Sequence, residues 1–242
     1  AVLGEAMNRM AGSLAEQSEL RRKLTGNISH ELRTPLTTIQ SYLEAFRDGI
    51  LQPKRENIEA VLEEAARLGK LVNDLQGLTI DSYEREALKL KQLPLTELVT
   101  QEAERIRPLL QQKEITLQIE KPVADFSALA DETLVERVIS NLLINAYKYT
   151  PQKGKVLITF SQGNEEVCVA VADTGIGIDA EHLPYIFERF YRVDPSRTRA
   201  TGGSGIGLAI VKELMEAMGG RVDVDSKPQH GSCFRLYFKR SK

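Results

Sequence analysis

Apolar residues recur at steps of three and four over the first 75 residues, which is the period of an amphipathic α-helix. The first helical pattern runs from Glu5 to about Arg47 and is broken at 48–53, a segment that contains glycine and proline. A second apolar stripe runs from Ile58 to Leu75. Two antiparallel helices with narrow apolar stripes cannot enclose a core, so we predict a helical hairpin that forms a four-helix bundle as a homodimer.

From about Leu88 the pattern changes to short strands that alternate with helices. Mixed strands and helices predict an α/β sandwich, with helices over one sheet. Asp131 is the expected N-cap of one of the helices. The predicted helices are 95–112, 133–150 and 205–218, and the predicted strands are 115–120, 156–160, 167–172, 222–224 and 234–238. Residues 178–204 show little regular pattern, which is typical of a functional lid or a disordered segment.

Composition excludes several classes of protein. The 242 residues carry a net charge of -2, so no basic field favours nucleic acid, and none is expected as a partner. No apolar run approaches the roughly 18 residues of a membrane span. Cys168 and Cys233 are expected to be small core residues of a protein in a reducing compartment. The chain opens at Ala1 already in helical pattern, which suggests a piece of a longer protein.

His30 is the first candidate for chemistry, because a neutral imidazole on an exposed helix face is nucleophilic near neutral pH. Pro35 lacks the amide proton that would bond the carbonyl of Glu31, so the helix should be weakened one turn after the histidine. Such a kink is either a signalling hinge or inert.

The helix over 133–150 places Asn141, Asn145, Lys148 and Tyr149 on one polar face. Amide oxygens suit a hard cation such as Mg²⁺, and a lysine suits phosphate. The alternative is an ordinary solvated face. Two other segments favour the nucleotide interpretation.

The first of these is a buried-looking strand that ends at Asp173, where a carboxylate can accept a hydrogen bond from the exocyclic amine of adenine. The second is the glycine-rich run 202–207, which opens a helix and therefore forms an anion site. A Walker-type phosphate loop is excluded, because Leu208 and Ala209 follow the last glycine in place of Lys and Ser or Thr. We treat a formal dinucleotide fingerprint at 175–180 as coincidence, since no second βαβ half is apparent.

Five segments resemble, in order, the motifs of the sensor histidine kinases of two-component systems. Residues 29–36 (SHELRTPL) resemble the H box and residues 141–150 (NLLINAYKYT) the N box. Residues 173–178 (DTGIGI) are similar to the first glycine box, 186–192 (IFERFYR) to the F box and 203–208 (GSGIGL) to the second glycine box. Each pattern is loose alone, but the joint occurrence is specific.

The resemblance implies an α plus α/β fold. A dimeric antiparallel helical hairpin of the HisKA type, forming a four-helix bundle, would occupy 23–87. An α/β sandwich ATP-binding domain of the GHKL (Bergerat) type, shared with gyrase, heat-shock chaperone and mismatch-repair ATPases, would occupy 88–242. Residues 1–22 resemble the end of a HAMP signalling module. The chain would then be the cytoplasmic portion of a bacterial membrane sensor, with its membrane spans outside this sequence.

The resemblance also implies a reaction, in which His30 attacks the γ-phosphate of ATP and Glu31 takes up the imidazole proton. Asn145 would be the principal Mg²⁺ ligand with Asn141 assisting, and Arg192 would stabilise charge on the γ-phosphoryl group. Asp173 would bind adenine. The other implied nucleotide contacts are Lys148, Tyr149, Gly175, Gly177, Phe190, Gly203, Gly205, Ile206, Gly207, Leu208 and Ser232, where Ser232 replaces the usual Thr.

The partner implied is a response regulator, whose receiver-domain Asp accepts the phosphoryl group. Glu31 followed by Thr34 fits the family's pattern for phosphatase activity towards that regulator; a surface Thr is the alternative. Two other functions stay open, a GHKL-type ATP hydrolase and a non-catalytic ATP-binding dimeric scaffold. The hydrolase is disfavoured because Asn141 stands where those enzymes carry the Glu that activates water. His182 and His230 are expected to be solvated surface residues.

Overall fold

The computed structural model describes residues 32–76, 88–123, 125–193 and 205–241. The chain forms two compact units, Ala1–Gln76 and Gly77–Lys242. No helix within the described ranges is long and apolar enough to cross a lipid bilayer.

The first unit is helical, as its apolar period predicts. Helix α1 is described from residue 32 to residue 47, and helix α2 spans Arg55–Gln76. The predicted break between them is confirmed: Gly49 has a φ of 70° and its amide donates to the carbonyl of Phe46 at 3.2 Å. Several apolar side chains stay exposed in the single chain: Leu36, Leu43, Ile58 and Leu62 are 45%, 53%, 44% and 61% exposed.

The second unit is an α/β sandwich, as predicted. Its helices are α3 (Leu95–Gln112), α4 (Glu132–Tyr149) and α5 (Gly207–Ala217). Its strands are β1 (Lys91–Pro94), β2 (Thr116–Glu120), β3 (Ser127–Ala130), β4 (Lys155–Gln162), β5 (Glu166–Asp173), β6 (Arg221–Lys227) and β7 (Gly231–Lys239). Five strands form one sheet in the order β2-β4-β5-β7-β6, parallel only between β2 and β4. Strands β1 and β3 form a separate antiparallel pair.

One face of the five-stranded sheet forms the core with the helices. Alternate residues of β5 and β7 are buried, among them Val169 and Leu236, which are fully inaccessible. Helix α4 packs against both α3 and α5. The predicted N-cap is confirmed, since a carboxylate oxygen of Asp131 accepts from the amide of Leu134 at 3.3 Å.

The prediction that both cysteines are core residues is wrong. Cys168 and Cys233 alternate with the buried residues of β5 and β7, so they lie on the other face of the sheet and are only half-buried. The physical reason is that a two-layer sandwich covers only one face of its sheet. Apolar or small residues on the other face need not be buried.

Candidate nucleotide-binding site

Two asparagines of α4 face the start of α5. Asn141 and Asn145 are one turn apart and half-buried. The Nδ2 of Asn141 donates to the carbonyl of Arg137 at 2.8 Å. A Cβ added at Gly207 would lie 3.3 Å from Oδ1 of Asn141 and 3.9 Å from both amide atoms of Asn145. The structure therefore brings the two amides and the first residue of α5 together, and a side chain at 207 would fill this space.

The start of α5 is suited to an anion. Its N-cap is Ile206, which is fully buried, and among the described residues no side chain caps this helix end. The first amide groups of a helix have no intrahelical acceptor, and the helix dipole is positive there. Leu208 follows in the first turn and is half-buried. This helix end has the chemistry of a phosphate site, and the two neighbouring amide oxygens have the chemistry of ligands for a hard cation.

Asp173 is the last residue of β5, in phase with the buried valines of that strand. The amide of Gly175 donates to its Oδ1 at 2.7 Å, and the backbone of Ser232 donates a second hydrogen bond. Burial raises the pKa of this carboxyl, while the two backbone donors oppose the rise. A Cβ at Gly175 would lie 2.5 Å from Oδ1 of Asp173 and 2.8 Å from the carbonyl of Tyr149, so the turn needs glycine.

Ser232 lies directly opposite Asp173 in the pairing of β5 with β7 and is 9% exposed. Its Oγ is 2.9 Å from the Oγ of Ser226 on β6. Gly177 reaches the same hairpin, because its Cα approaches the backbone of Lys227 so closely that a Cβ would lie 2.1 Å from that carbonyl oxygen. Asp173, Ser232 and the glycine turn therefore share one end of the sheet.

Phe190 and Gly205 lie on either side of residues 194–204, which are outside the described residues, and they are joined by a hydrogen bond. Both residues have left-handed backbone, with φ of 64° and 69°, and the amide of Phe190 donates to the carbonyl of Gly205 at 2.9 Å. Gly203 lies outside the described residues. The predicted lack of regular structure is confirmed for residues 178–193, which form turns.

Arg192 and Tyr149 lie near each other. Burial raises the pKa of the Tyr149 hydroxyl, and the charge of Arg192 opposes that rise. The side chain of Lys148 is half-buried at the end of α4. Lys113 holds this helix end: its Nζ donates to the carbonyls of Tyr147 at 2.8 Å, Lys148 at 3.3 Å and Thr150 at 3.2 Å.

The residues proposed for phosphoryl acceptance belong to the other unit. Thr34 is exposed on α1, and its carbonyl accepts from the hydroxyl of Thr38 at 3.1 Å. His30 and Glu31 lie outside the described residues, as does the segment 1–22. Pro35 is buried within α1.

The prediction of a solvated His182 is wrong. Its side chain is 23% exposed, and its Nδ1 lies 2.8 Å from the hydroxyl of Tyr191, whose ring also packs against the ring of Tyr185. The physical reason is that the aromatic residues of this loop pack on one another, which a count of polar sequence neighbours does not reveal. His230 is exposed, as predicted.

Sequence reasoning missed Ser226 and Lys113. Ser226 occupies an inward position of β6, in phase with Val222 and Val224, so a polar residue at the end of an apolar alternation was the available signal. For Lys113 the sequence offered no such signal, because this residue follows the last turn of one helix and binds the end of another that is distant in sequence.

Two family models match the chain. One, described as "Histidine kinase-, DNA gyrase B-, and HSP90-like ATPase", matches residues 130–242, and the other, "His Kinase A (phospho-acceptor) domain", matches residues 20–80. The first model lies within the sandwich unit, and the second covers the described helices α1 and α2.

Curated relatives align over nearly the whole chain. It is 35% identical to the sensor histidine kinase YkoH of Bacillus subtilis and 33% identical to the signal transduction histidine-protein kinase BaeS of Escherichia coli. The alignments cover 98% and 95% of this chain but 51% and 49% of the relatives, so the chain spans about half their length. The solved histidine kinase ThkA, in complex with the response regulator protein TrrA, has the same fold, with a TM-score of 0.76 and 22% identity over 94% of this chain and 64% of that chain.

Proposed function

Because the chain belongs to the sensor histidine kinases, we propose that it phosphorylates its own His30 with ATP and passes the phosphoryl group to an aspartate of a response regulator. The observation that carries this proposal is the approach of Asn141 and Asn145 to the N-terminal end of α5, which no side chain of the described residues caps. In the same unit, Asp173 is the last residue of β5, and its carboxylate accepts hydrogen bonds from two backbone amides. These features match the two ends of a nucleotide, its phosphates and its base.

Each end of the nucleotide has a proposed set of contacts. Asp173 accepts a hydrogen bond from the adenine amine, with Ser232 beside it. The α5 amides and Lys148 bind the phosphates. Asn145 and Asn141 offer the amide oxygens that suit Mg²⁺, which when bound neutralises phosphate charge. The remaining proposed contacts are Tyr149, Gly175, Gly177, Phe190, Gly203, Gly205, Ile206, Gly207 and Leu208.

Phosphoryl transfer then follows from the residues proposed to meet at the γ-phosphate. An imidazole nitrogen of His30 forms a bond to the γ-phosphorus while the bond to the bridging oxygen breaks and ADP leaves. Glu31 accepts the imidazole proton, and Arg192 stabilises charge on the transferred group. Asn141 is an amide and cannot act as a base towards water, which favours transfer to His30 over hydrolysis.

The proposed assembly is a homodimer through the helical hairpin. The exposed Leu36, Leu43, Ile58 and Leu62 support it, because a second copy would cover them. For the response regulator we propose the face of α1 that bears Thr34, where Thr37 and Ser41 line an open groove. ThkA, which shares this fold, was solved with its response regulator.

We make two finer proposals, one from the motif around His30 and one from the length of the relatives. Glu31 and Thr34 give the kinase a phosphatase activity towards its phosphorylated regulator, by placing a water near the aspartyl phosphate. We also propose that the chain is the cytoplasmic portion of a membrane sensor. The greater length of the relatives supports this second proposal.

The deciding experiment incubates the chain with γ-labelled ATP and Mg²⁺. We expect label on the wild type that is lost in acid and stable in base, as for a phosphoramidate, and none on His30→Gln or Asn145→Ala. His230→Gln is the matched control, since His230 is exposed on a turn at the other end of the chain and should leave labelling intact. Acid-stable label, or label that persists on His30→Gln, would contradict the proposal. Phosphate released without labelling would favour the hydrolase.

A further inference from the structure

Three polar residues form a row across the end of the sheet. Asp173 pairs with Ser232, and Ser232 pairs with Ser226, because β7 lies between β5 and β6. All three are in phase with buried or half-buried apolar residues of their strands, so they lie on the helix side of the sheet. Ser226 is thus one strand further from Asp173 than Ser232 is.

The hydroxyl of Ser226 has three partners. The amide of Ile178 donates to its Oγ at 2.8 Å, the Oγ donates to the carbonyl of Gly231 at 2.9 Å, and the Oγ of Ser232 lies 2.9 Å away. A hydroxyl has one hydrogen and two acceptor positions. All three contacts are hydrogen bonds at once in only one arrangement, in which Ser226 donates to Gly231 and accepts from Ser232.

This arrangement fixes the direction of the Ser232 hydroxyl. Its hydrogen points towards β6, away from Asp173, and only its lone pairs remain for a ligand on the β5 side. Opposite residues of an antiparallel pair lie about 5 Å apart, close enough for one nitrogen to contact both side chains. Asp173 and Ser232 then form two neighbouring acceptors.

We propose that Ser226 determines base specificity by holding the Ser232 hydroxyl as an acceptor, so that Asp173 and Ser232 together bind the two hydrogens of an amino group. The inference rests on the proposed function, namely that this end of the sheet binds adenine. A purine with a carbonyl at position 6 presents lone pairs to both acceptors and is rejected. Ser226 touches no ligand in this scheme; it is a positioning residue.

Inosine triphosphate is the matched probe, because it has the ATP skeleton with a 6-oxo group in place of the 6-amino group. The experiment measures equilibrium dissociation constants of the intact chain for ATP and ITP in Mg²⁺. We expect the wild type to prefer ATP. Ser226→Ala frees the Ser232 hydrogen to rotate towards the ligand, so the preference should fall about three- to tenfold, the effect of one hydrogen bond.

The double variant separates this mechanism from general damage. In a Ser232→Ala background, Ser226→Ala should change the preference no further, because the hydroxyl that it orients is gone. Ser226→Cys keeps the side-chain size but is a weak acceptor, and should shift the preference in the same direction as alanine.

Each outcome bears on one proposal. A wild-type chain that fails to bind ATP overturns the proposed function. If ATP binds but Ser226→Ala and Ser226→Cys keep the wild-type preference, the role of Ser226 is overturned while the proposed function stands. The role of Ser226 is also overturned if Ser226→Ala lowers the preference for ATP equally with and without the Ser232 hydroxyl, since the effect would then not pass through that hydroxyl.

Discussion

The partly buried carboxyl of Asp173 links the stability of the folded chain to pH. Burial raises its pKa, so its proton is held more tightly in the folded chain than in the unfolded chain. The stability contributed by the protonated form is present at low pH and is lost as pH rises through the raised pKa. Above the raised pKa, the ionised and partly buried carboxylate therefore costs stability.

ATP affinity should therefore weaken as pH falls, beginning above the ordinary aspartate pKa of about 3.9. Protonation gives Asp173 a hydrogen where the adenine amine needs an acceptor. The measurement is the ATP dissociation constant between about pH 7.5 and pH 4.5, set against Asp173→Asn. The variant should bind at least about tenfold more weakly at neutral pH and lack this acid dependence. Equal profiles for the two proteins would contradict the assignment.

The main candidate residues of this site could be proposed from the sequence because they stand at periodic positions or at the ends of predicted elements. Asn141 and Asn145 are four apart on one helix, and Asp173 ends an apolar run. Ser226 and Lys113 were missed because their partners come from other elements. A hydrogen bond between distant segments leaves no period in a sequence.

At the scale of elements, the long helices and strands were predictable and the short pair was not. Strands β1 and β3 have four residues each, too few for an alternation to stand out, and β1 ends at Pro94. Their antiparallel pairing joins segments more than 30 residues apart. Only tertiary structure makes such short segments strands.

Gly205 connects two elements, the turn at Phe190 and helix α5. Gly205→Ala should lower ATP affinity about tenfold, since its φ is 69° and a Cβ would lie 2.9 Å from the backbone carbon of Phe190. To relieve this close contact, the backbone at residue 205 must move, and that movement would displace the start of α5. Isothermal titration with ATP measures the effect.

Gly219→Ala is the matched control, because Gly219 follows the other end of the same helix. Its φ is 71°, but the nearest atom to a Cβ would be the flexible Nζ of Lys239 at 3.2 Å. The backbone strain is similar, but the proposed phosphate-binding end of the helix is unchanged, so ATP affinity should stay at the wild-type value. If both variants lose affinity alike, the effect of Gly205 is one of stability alone.

Lys113 stabilises the C-terminal end of α4 through three carbonyls. Lys113→Met should lower the free energy of unfolding by about 1–2 kcal/mol, because the ammonium group satisfies carbonyls at the negative end of the helix dipole. Urea denaturation followed by circular dichroism measures this. Lys212→Met, on an exposed position of α5, should change it little. A loss no larger than that of Lys212→Met would show that the three contacts contribute nothing.

At the scale of the whole molecule, the change of hydrophobic period predicted a helical part followed by an α/β sandwich, and the described residues form both. The two units leave different surfaces. In the sandwich unit, large apolar side chains form a buried core between sheet and helices, whereas the helical unit exposes Leu43 and Leu62 by more than half. An apolar stripe of this kind is stable in water only when another surface covers it.

Dimerisation is therefore expected to depend on this stripe. Leu43→Asp places a charge in the proposed interface and should convert the dimer to a monomer at micromolar concentration, because burying an unpaired carboxylate costs several kcal/mol. Sedimentation equilibrium over a range of concentrations measures the change, since dimer stability depends on protomer concentration. Ser41→Asp carries the same charge two residues away on a position outside the apolar stripe and should remain dimeric. A wild-type monomer, or a dimer that survives Leu43→Asp, would require that something other than a second copy covers Leu43.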